Sequence, residues 1–590
     1  MFICFGLHSQ EILQQLQQIQ QLERKGNLQE AKIFYENIYS QNSDNILIFT
    51  RYKDFCMRTR DYQRTLELID TRSQNHPNDF KLKIWKAQIV YKLGNQEEAL
   101  ETWKKIIDNN ASNLSAYLHV ANVLTTENLL DEAVDIYSSA RKMKNRKDLF
   151  SLNLANIHIA RMDYKNATDE LLIFLKTNPK QYALVEKQFF QFVNSDKTIK
   201  TVVPQIKKAI AAEPSNKTLK TLLINIYLRT GDYAEGFKIA VEAEKQLKNS
   251  RRGEALFYFG NKAFEAGASE MAEKVFLELL KTCPDFKRRE FVSFNLAQCY
   301  EALEKYDRAI NEYRNVADIT NNKTLRTQAL FSVGLIIKDK QYQFDKALEL
   351  FQKIEDKQPP VRDRSNIQFE IGKCYIALGK LKNAEPIFRE ILKSKFDTKL
   401  KSDQRIKARI FLADVLYLQG KYKEALELLD ELKGINLDVR SAQSPVLNDG
   451  LELKLFIKQH LTKSAEPLHV FTRAELLKRQ RCFDEAITVL DSLIIRWPDD
   501  PVTIYGIFDQ GKIEFQSGNY KNSLENFDLL NTRFASHVLA DHALSYAGLA
   551  CEKMGKKKEA LKRYDKLLLE YPHSLQADEI RQRIQNIEKE

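Results

Sequence analysis

The chain has 590 residues with 43% hydrophobic and 29% charged side chains, and Lys and Arg outnumber Asp and Glu by 91 to 80 for a net charge of +11. No window approaches the roughly 20 apolar residues of a transmembrane helix. The positive charge is spread along the chain instead of gathered in a basic block laced with aromatics, which argues against a nucleic-acid surface.

Met1–Leu7 is apolar and His8-Ser9-Gln10-Glu11 follows. Residues 1–11 read as the remnant of a truncated secretory signal, although the charged start of such a signal is missing. A short apolar cap on the first helix is the alternative. From residue 12 onward one small residue recurs at a fixed interval. It is Ala31, Thr65, Ala99, Ala133 and Ala167, each 34 residues after the last. It continues at Val202, Gly236, Ala272, Ala309, Ala347, Ala384 and Ala425, and after a gap at Ala486, Ser523 and Ala560. Five residues before it a glycine often stands, as at Gly94 and Gly231, suited to ending a helix in the left-handed conformation. Four residues after it comes a large apolar residue such as Trp103, Tyr137 or Phe351, and twelve after it often a proline, as at Pro77, Pro179 and Pro572. The proline cannot extend a helix and closes the unit.

Asn295–Val316 shows the unit in compact form. Leu296, Ala297 and Tyr300 make one apolar stripe, and Ala309, Ile310, Tyr313 and Val316 make a second. Ala297 and Ala309 are small enough for two helices to cross closely. A single pair of this kind leaves apolar faces open, so copies must stack on either side.

The period and this residue pattern resemble the tetratricopeptide repeat over residues 12–590. The resemblance implies an all-α fold, a right-handed α-solenoid (superhelix) of about fifteen helix–turn–helix repeats. The consensus first-helix tryptophan is mostly absent and its glycine is usually alanine. Residues 12–435 read as one superhelix, with a degenerate sixth unit crowded by Phe189, Phe190 and Phe192. Residues 436–470 read as a linker with an unpaired helix at Leu451–Leu461, and 471–590 as a second block ending in a capping helix. That block carries Tyr571-Pro572-His573-Ser574 and Ala577-Asp578-Glu579 at a unit boundary. Such boundaries resemble bacterial envelope repeat proteins of the Tol–Pal-associated and outer-membrane assembly types, which implies a periplasmic or envelope location. The cytoplasm is the alternative.

No phosphate loop, GxSxG or HExxH occurs, so no catalytic residue is assigned and no enzyme is expected. No metal or cofactor is implied. His537 and His542 are poorly spaced for one metal on a helix face. The seven cysteines, without a CxxC, argue against a disulfide framework, and Cys56, Cys299, Cys374 and Cys551 read as small core hydrophobes.

One polar pattern stands out. Eleven residues before the small marker, the first helices carry Gln88, Asn122, Asn156, Gln191, Asn225, Asn261 and Gln298 without interruption. In the repeat family this position faces the concave groove, so the resemblance implies a ladder of carboxamides there. Each amide offers an acceptor and two donors, enough to hold the backbone of an extended peptide without reading its side chains. The plainer alternative is that amides merely solvate the groove. The leading expectation is a non-enzymatic protein–protein interaction scaffold that binds a peptide or partner protein, with no small-molecule substrate. The alternatives are a cytoplasmic adaptor subunit of a larger complex and, more weakly, a nucleic-acid-associated repeat protein.

Overall fold

The computed structural model describes residues 2–247, 251–393, 400–434, 445–461 and 464–589, and among these the side chains of 2–11, 361–362, 400–403 and 433–434 are not described. Every regular element among the described residues is helical. The chain divides into two compact units, Met1–Ala266 and Gly267–Glu590, and the expected linker at 436–470 falls inside the second, with its residues 436–444 and 462–463 outside the described residues. Each unit is an all-α stack of helix hairpins, a solenoid architecture.

In the first unit, seven hairpins follow one another, from Phe2–Arg24 with Leu28–Gln41 to Lys217–Thr230 with Tyr233–Lys245, and Glu254–Glu265 ends it. The helix Phe2–Arg24 runs through most of the signal-like stretch. The second unit runs from Ser269–Thr282 to the terminal helix Ala577–Lys589, whose Ile580 is buried against the last hairpin.

The hairpin follows from a few residues. Ala31, Ala99, Ala133, Ala167, Ala272, Ala309, Ala347, Ala384, Ala425, Ala486 and Ala560 are all fully buried, as is Val202. The aromatic four residues on packs back over a small residue of the first helix. Gly548 has no room for a Cβ, which would lie 2.2 Å from the Tyr564 ring, and Gly334 stands in the same relation to Phe351 at 2.4 Å. Where that residue is alanine, as at Ala87, Ala121 and Ala297, it is buried at the same crossing. The buried tyrosines also need a partner for their hydroxyls. Tyr35 and Tyr313 each donate at 2.9 Å to a glutamate of the first helix, Glu23 and Glu301, and Tyr564 donates to Glu552.

The turn is equally regular. Gly94 and Gly231 adopt φ of 103° and 78°. Where glycine is missing the conformation persists: Arg60, Asn128, Met162, Glu304, Tyr342 and Arg481 sit at the same place with φ between 56° and 63°. The turn is therefore dictated by the packing of the two helices, and an L-residue there bears a cost of roughly 1–2 kcal/mol. Second helices end two or three residues before the closing prolines, as at Asn75, Thr177 and Glu570.

The sixth hairpin departs from this scheme. Its second helix, Asp196–Ala212, begins one turn early, capped by Ser195 and Thr198 in a capping box, with no left-handed residue at the turn. It packs mainly against Tyr164–Thr177 and Lys217–Thr230 instead of its own first helix. Phe189 and Phe192 fill the space this leaves, with Phe192 stacked 5.1 Å from Tyr164.

The four core cysteines are fully buried, and burial pushes the thiols of Cys56, Cys299 and Cys374 up to about 12. No helix among the described residues is long and apolar enough to cross a membrane.

Candidate functional site

Within each unit the first helices of neighbouring hairpins lie side by side. In the first unit Phe80–Lys92 touches Leu114–Thr126, and Lys217–Thr230 touches both Tyr182–Phe192 and Glu254–Glu265. The amide column lies on this wall, but its members are not alike. Asn225 is saturated: its amide nitrogen donates to Tyr182 Oη at 3.0 Å and to Glu186 Oε1 at 2.6 Å, and its oxygen accepts from Tyr258 Oη at 2.8 Å. Tyr182 and Glu186 stand on the preceding first helix and Tyr258 on the following one, so Asn225 pins three first helices together. Burial, helped by Glu186, raises the Tyr182 hydroxyl above its ordinary pKa, and burial also raises that of Tyr258.

Gln88 is 9% exposed and donates to Glu127 Oε1 at 2.7 Å, across to the next hairpin. Asn122 is exposed, and its oxygen accepts from Tyr137 Oη at 3.0 Å. Tyr137 takes this course because Thr125 stands where other units carry the glutamate. Asn156 and Gln191 are exposed. Asn261 is half-buried and has contacts of its own, and Gln298 is half-buried in the second unit. His119 is spent on the Ser115 carbonyl at 2.7 Å. The partners Glu127, Tyr182, Glu186 and Tyr258 were not legible as site residues. The signal that could have found one pair is the i,i+4 spacing of Tyr182 and Glu186 on one helix face.

A second surface lies in the second unit, around the helix Pro445–His460. This element starts six residues before the expected unpaired helix, and it has partners. Gly450 lets Ile410 of Leu400–Leu418 approach, and Lys454 pairs with Asp430 Oδ1 at 2.7 Å. Phe456 inserts among Tyr417, Phe471 and Tyr505, with centroids 6.4, 5.5 and 5.0 Å away. These rings come from three successive first helices: Leu400–Leu418, Glu466–Arg479 and Pro501–Gln516. The helix thus lies along the first-helix wall. His460, one turn on, is buried between Phe456 and Tyr505, and neither ring nitrogen has a partner. Burial lowers its pKa, His537 adds to the shift, and Asp500 opposes it.

Beside this helix a groove of about 790 Å³ remains, floored by Phe411, Phe456, Tyr505 and Phe508. Arg479 on its wall binds Asp414 at 2.5 Å and Glu475 at 2.8 Å, and Tyr417 donates to Glu475 at 3.0 Å. Burial works to raise the Glu475 carboxyl, but Arg479 and Lys478 outweigh it and hold it below its ordinary value. Among the described residues no cluster of His, Cys, Asp and Glu is arranged to hold a metal ion.

Comparison with known proteins agrees with this architecture. Three tetratricopeptide repeat family models match residues 293–327, 365–398 and 542–574, so the chain carries repeats of this kind in its second unit. None of these models describes a catalytic family. A TPR repeat-containing protein of Methanocaldococcus jannaschii is 26% identical over 480 residues, covering 76% of this chain and 74% of the relative. Among solved structures, a Naa15/Naa10 complex bound to HypK-THB aligns over 91% of this chain and 79% of its own at 17% identity, with a TM-score of 0.29. A tetratricopeptide repeat protein from Parabacteroides merdae aligns over 50% of this chain and 98% of its own, at 14% identity and TM-score 0.29. Alignments this loose carry no functional argument. The sequence relative is archaeal, so the bacterial envelope expectation gains no support from it.

Proposed function

We propose that the protein is a non-enzymatic interaction scaffold whose first-helix wall holds an extended segment of a protein partner. The observation that carries this reading is the division of labour in the amide column. Asn225 and Gln88 are committed to joining hairpins, while Asn156 and Gln191, which lie between them in sequence, are exposed. Exposed carboxamides one repeat apart can pair with peptide backbone, and the committed ones keep the wall in place. The first unit then grips many sequences with modest affinity.

The test is capture from lysate of the native host by wild type and by Asn156→Ala/Gln191→Ala, with partners identified by mass spectrometry. Partners lost by the folded variant support the amide grip. Equal capture of the same partners removes it and moves the binding surface elsewhere on the scaffold. The envelope location rests on the N-terminal stretch and the unit-boundary sequences, and fractionation of the host cell tests it.

A further inference from the structure

We infer that the groove beside Pro445–His460 receives an amphipathic helix of a partner protein, with aliphatic anchors on one face and Lys or Arg along the flank that meets Pro445–His460. The inference rests on the scaffold reading and adds a second surface with a defined kind of occupant.

The wall already accepts a helix. Pro445–His460 packs on Leu400–Leu418 and on the following helix Tyr422–Asp430, and its Phe456 reaches on to Phe471 and Tyr505 of the next two first helices. Among the described residues, its outer face and the continuing wall then border a second channel that none of them fills. A groove of about 790 Å³ has room for the anchoring side chains of one helix face.

Two large aliphatic side chains on either side of that channel are exposed. Leu455 on the inserted helix is 59% exposed, and Val538 on the other side is 75% exposed. Both line the groove above the aromatic floor. Two exposed aliphatics facing one channel leave apolar surface in water that an occupant would cover.

The charge is asymmetric, and that fixes the occupant. Five carboxylates line the groove against two cations, Lys478 and Arg479. Both cations are consumed internally, Lys478 by Asp509 and Arg479 by Asp414 and Glu475. The remaining acids, Asp449 and Glu452, both stand on the outer face of Pro445–His460 and are exposed. The opposite flank offers no free charge of its own among the lining residues, since Asp509 there is paired with Lys478. An occupant with its cations toward the inserted helix satisfies Asp449 and Glu452. An acidic helix would face like charge at Asp449 and Glu452.

The test uses the full chain and fluorescence anisotropy with two labelled probes. One is an amphipathic Leu/Lys helix peptide, and the other is the Leu/Glu peptide of the same pattern. The Leu/Lys probe is expected to bind and the Leu/Glu probe to bind at least tenfold more weakly. Asp449→Lys/Glu452→Lys and Val538→Asp, all at exposed positions, are each expected to weaken the Leu/Lys probe at least tenfold. Circular dichroism confirms that the variants fold. Failure of the Leu/Lys probe to bind, or binding indifferent to both variants, overturns the inference. If binding is instead lost in Asn156→Ala/Gln191→Ala, the scaffold reading stands and this groove is excluded. If the Leu/Lys and Leu/Glu probes bind equally, the assigned charge preference is wrong and the inference falls.

Discussion

Replacing Asn225 by alanine separates a structural amide from a binding one. The side chain makes three hydrogen bonds, to Tyr182, Glu186 and Tyr258, and one of them is charge-assisted. Neutral bonds of this type contribute about 0.5–1.5 kcal/mol each and bonds to a charged group about 1.5–3 kcal/mol. The loss is less than the sum. Asn225 is only half-buried, so water replaces part of it, and Tyr182 keeps its own 2.6 Å bond to Glu186. A net loss of about 1.5–3 kcal/mol remains. In a stack where each unit leans on its neighbours the loss is felt locally, so hydrogen exchange is the suitable assay. Protection of the helix Lys217–Thr230 should fall by about tenfold to a hundredfold, at about 1.4 kcal/mol per tenfold. Asn156→Ala, at an exposed member of the same column, should change stability by no more than about 0.5 kcal/mol. Unchanged protection in Asn225→Ala, or an equal loss in Asn156→Ala, would refute the division of the column into joining and free amides.

Three further outcomes follow from packing and charge. Gly548→Ala places a Cβ 2.2 Å from the buried Tyr564 ring, a clash severe enough to put overpacking at the upper end of about 1–3 kcal/mol, and after the helix-propensity gain of about 1 kcal/mol urea unfolding should show a net loss of up to about 2 kcal/mol. Met162→Gly removes the left-handed penalty at a residue 75% exposed and should stabilise by about 0.5–1 kcal/mol in the same assay. Burial lowers the folded pKa of His460, so the unfolded state binds more protons between that value and about 6.5. The stability contributed by the neutral ring is therefore full above about pH 6.5 and is lost as the pH falls through the folded pKa. Melting measured from pH 7.5 down to 5.5 should fall less steeply in His460→Phe than in wild type, with His158 and His537 supplying the slope that remains.

The hairpin was legible because its determinants are local. Small residue, turn glycine, aromatic and proline recur at fixed spacing, and every one of them does in the structure what its chemistry demands. The left-handed turns at Arg60, Met162 and Arg481 were not legible, because nothing about those residues favours φ above zero and only the packing of the flanking helices imposes it. The early start of Asp196–Ala212 was hidden for a similar reason: Val202 keeps the register while Ser195 and Thr198 move the cap. The amide column was legible as a column. Its partners were not, since Tyr182 lies 43 residues before Asn225 and the repeat of 34 does not point to it. The helix at Pro445–His460 could be read from its apolar residues, but its seat depends on rings from three hairpins.

Leu400–Leu418 and Glu466–Arg479 are adjacent in the stack although the inserted helix separates them in sequence. Arg479 reaches Asp414, Tyr417 reaches Glu475, and Tyr422 meets Thr472 at 3.0 Å. The chain therefore leaves the array after one hairpin and rejoins it at the next, and the two flanking hairpins still meet. Spacing along the sequence measures contour length, whereas neighbourhood in a stacked array is settled by which faces fit. A protein built this way can acquire a branch between two hairpins while the hairpins on either side of it stay neighbours, and Ile457 and Phe456 show that the branch then becomes part of the core it joins.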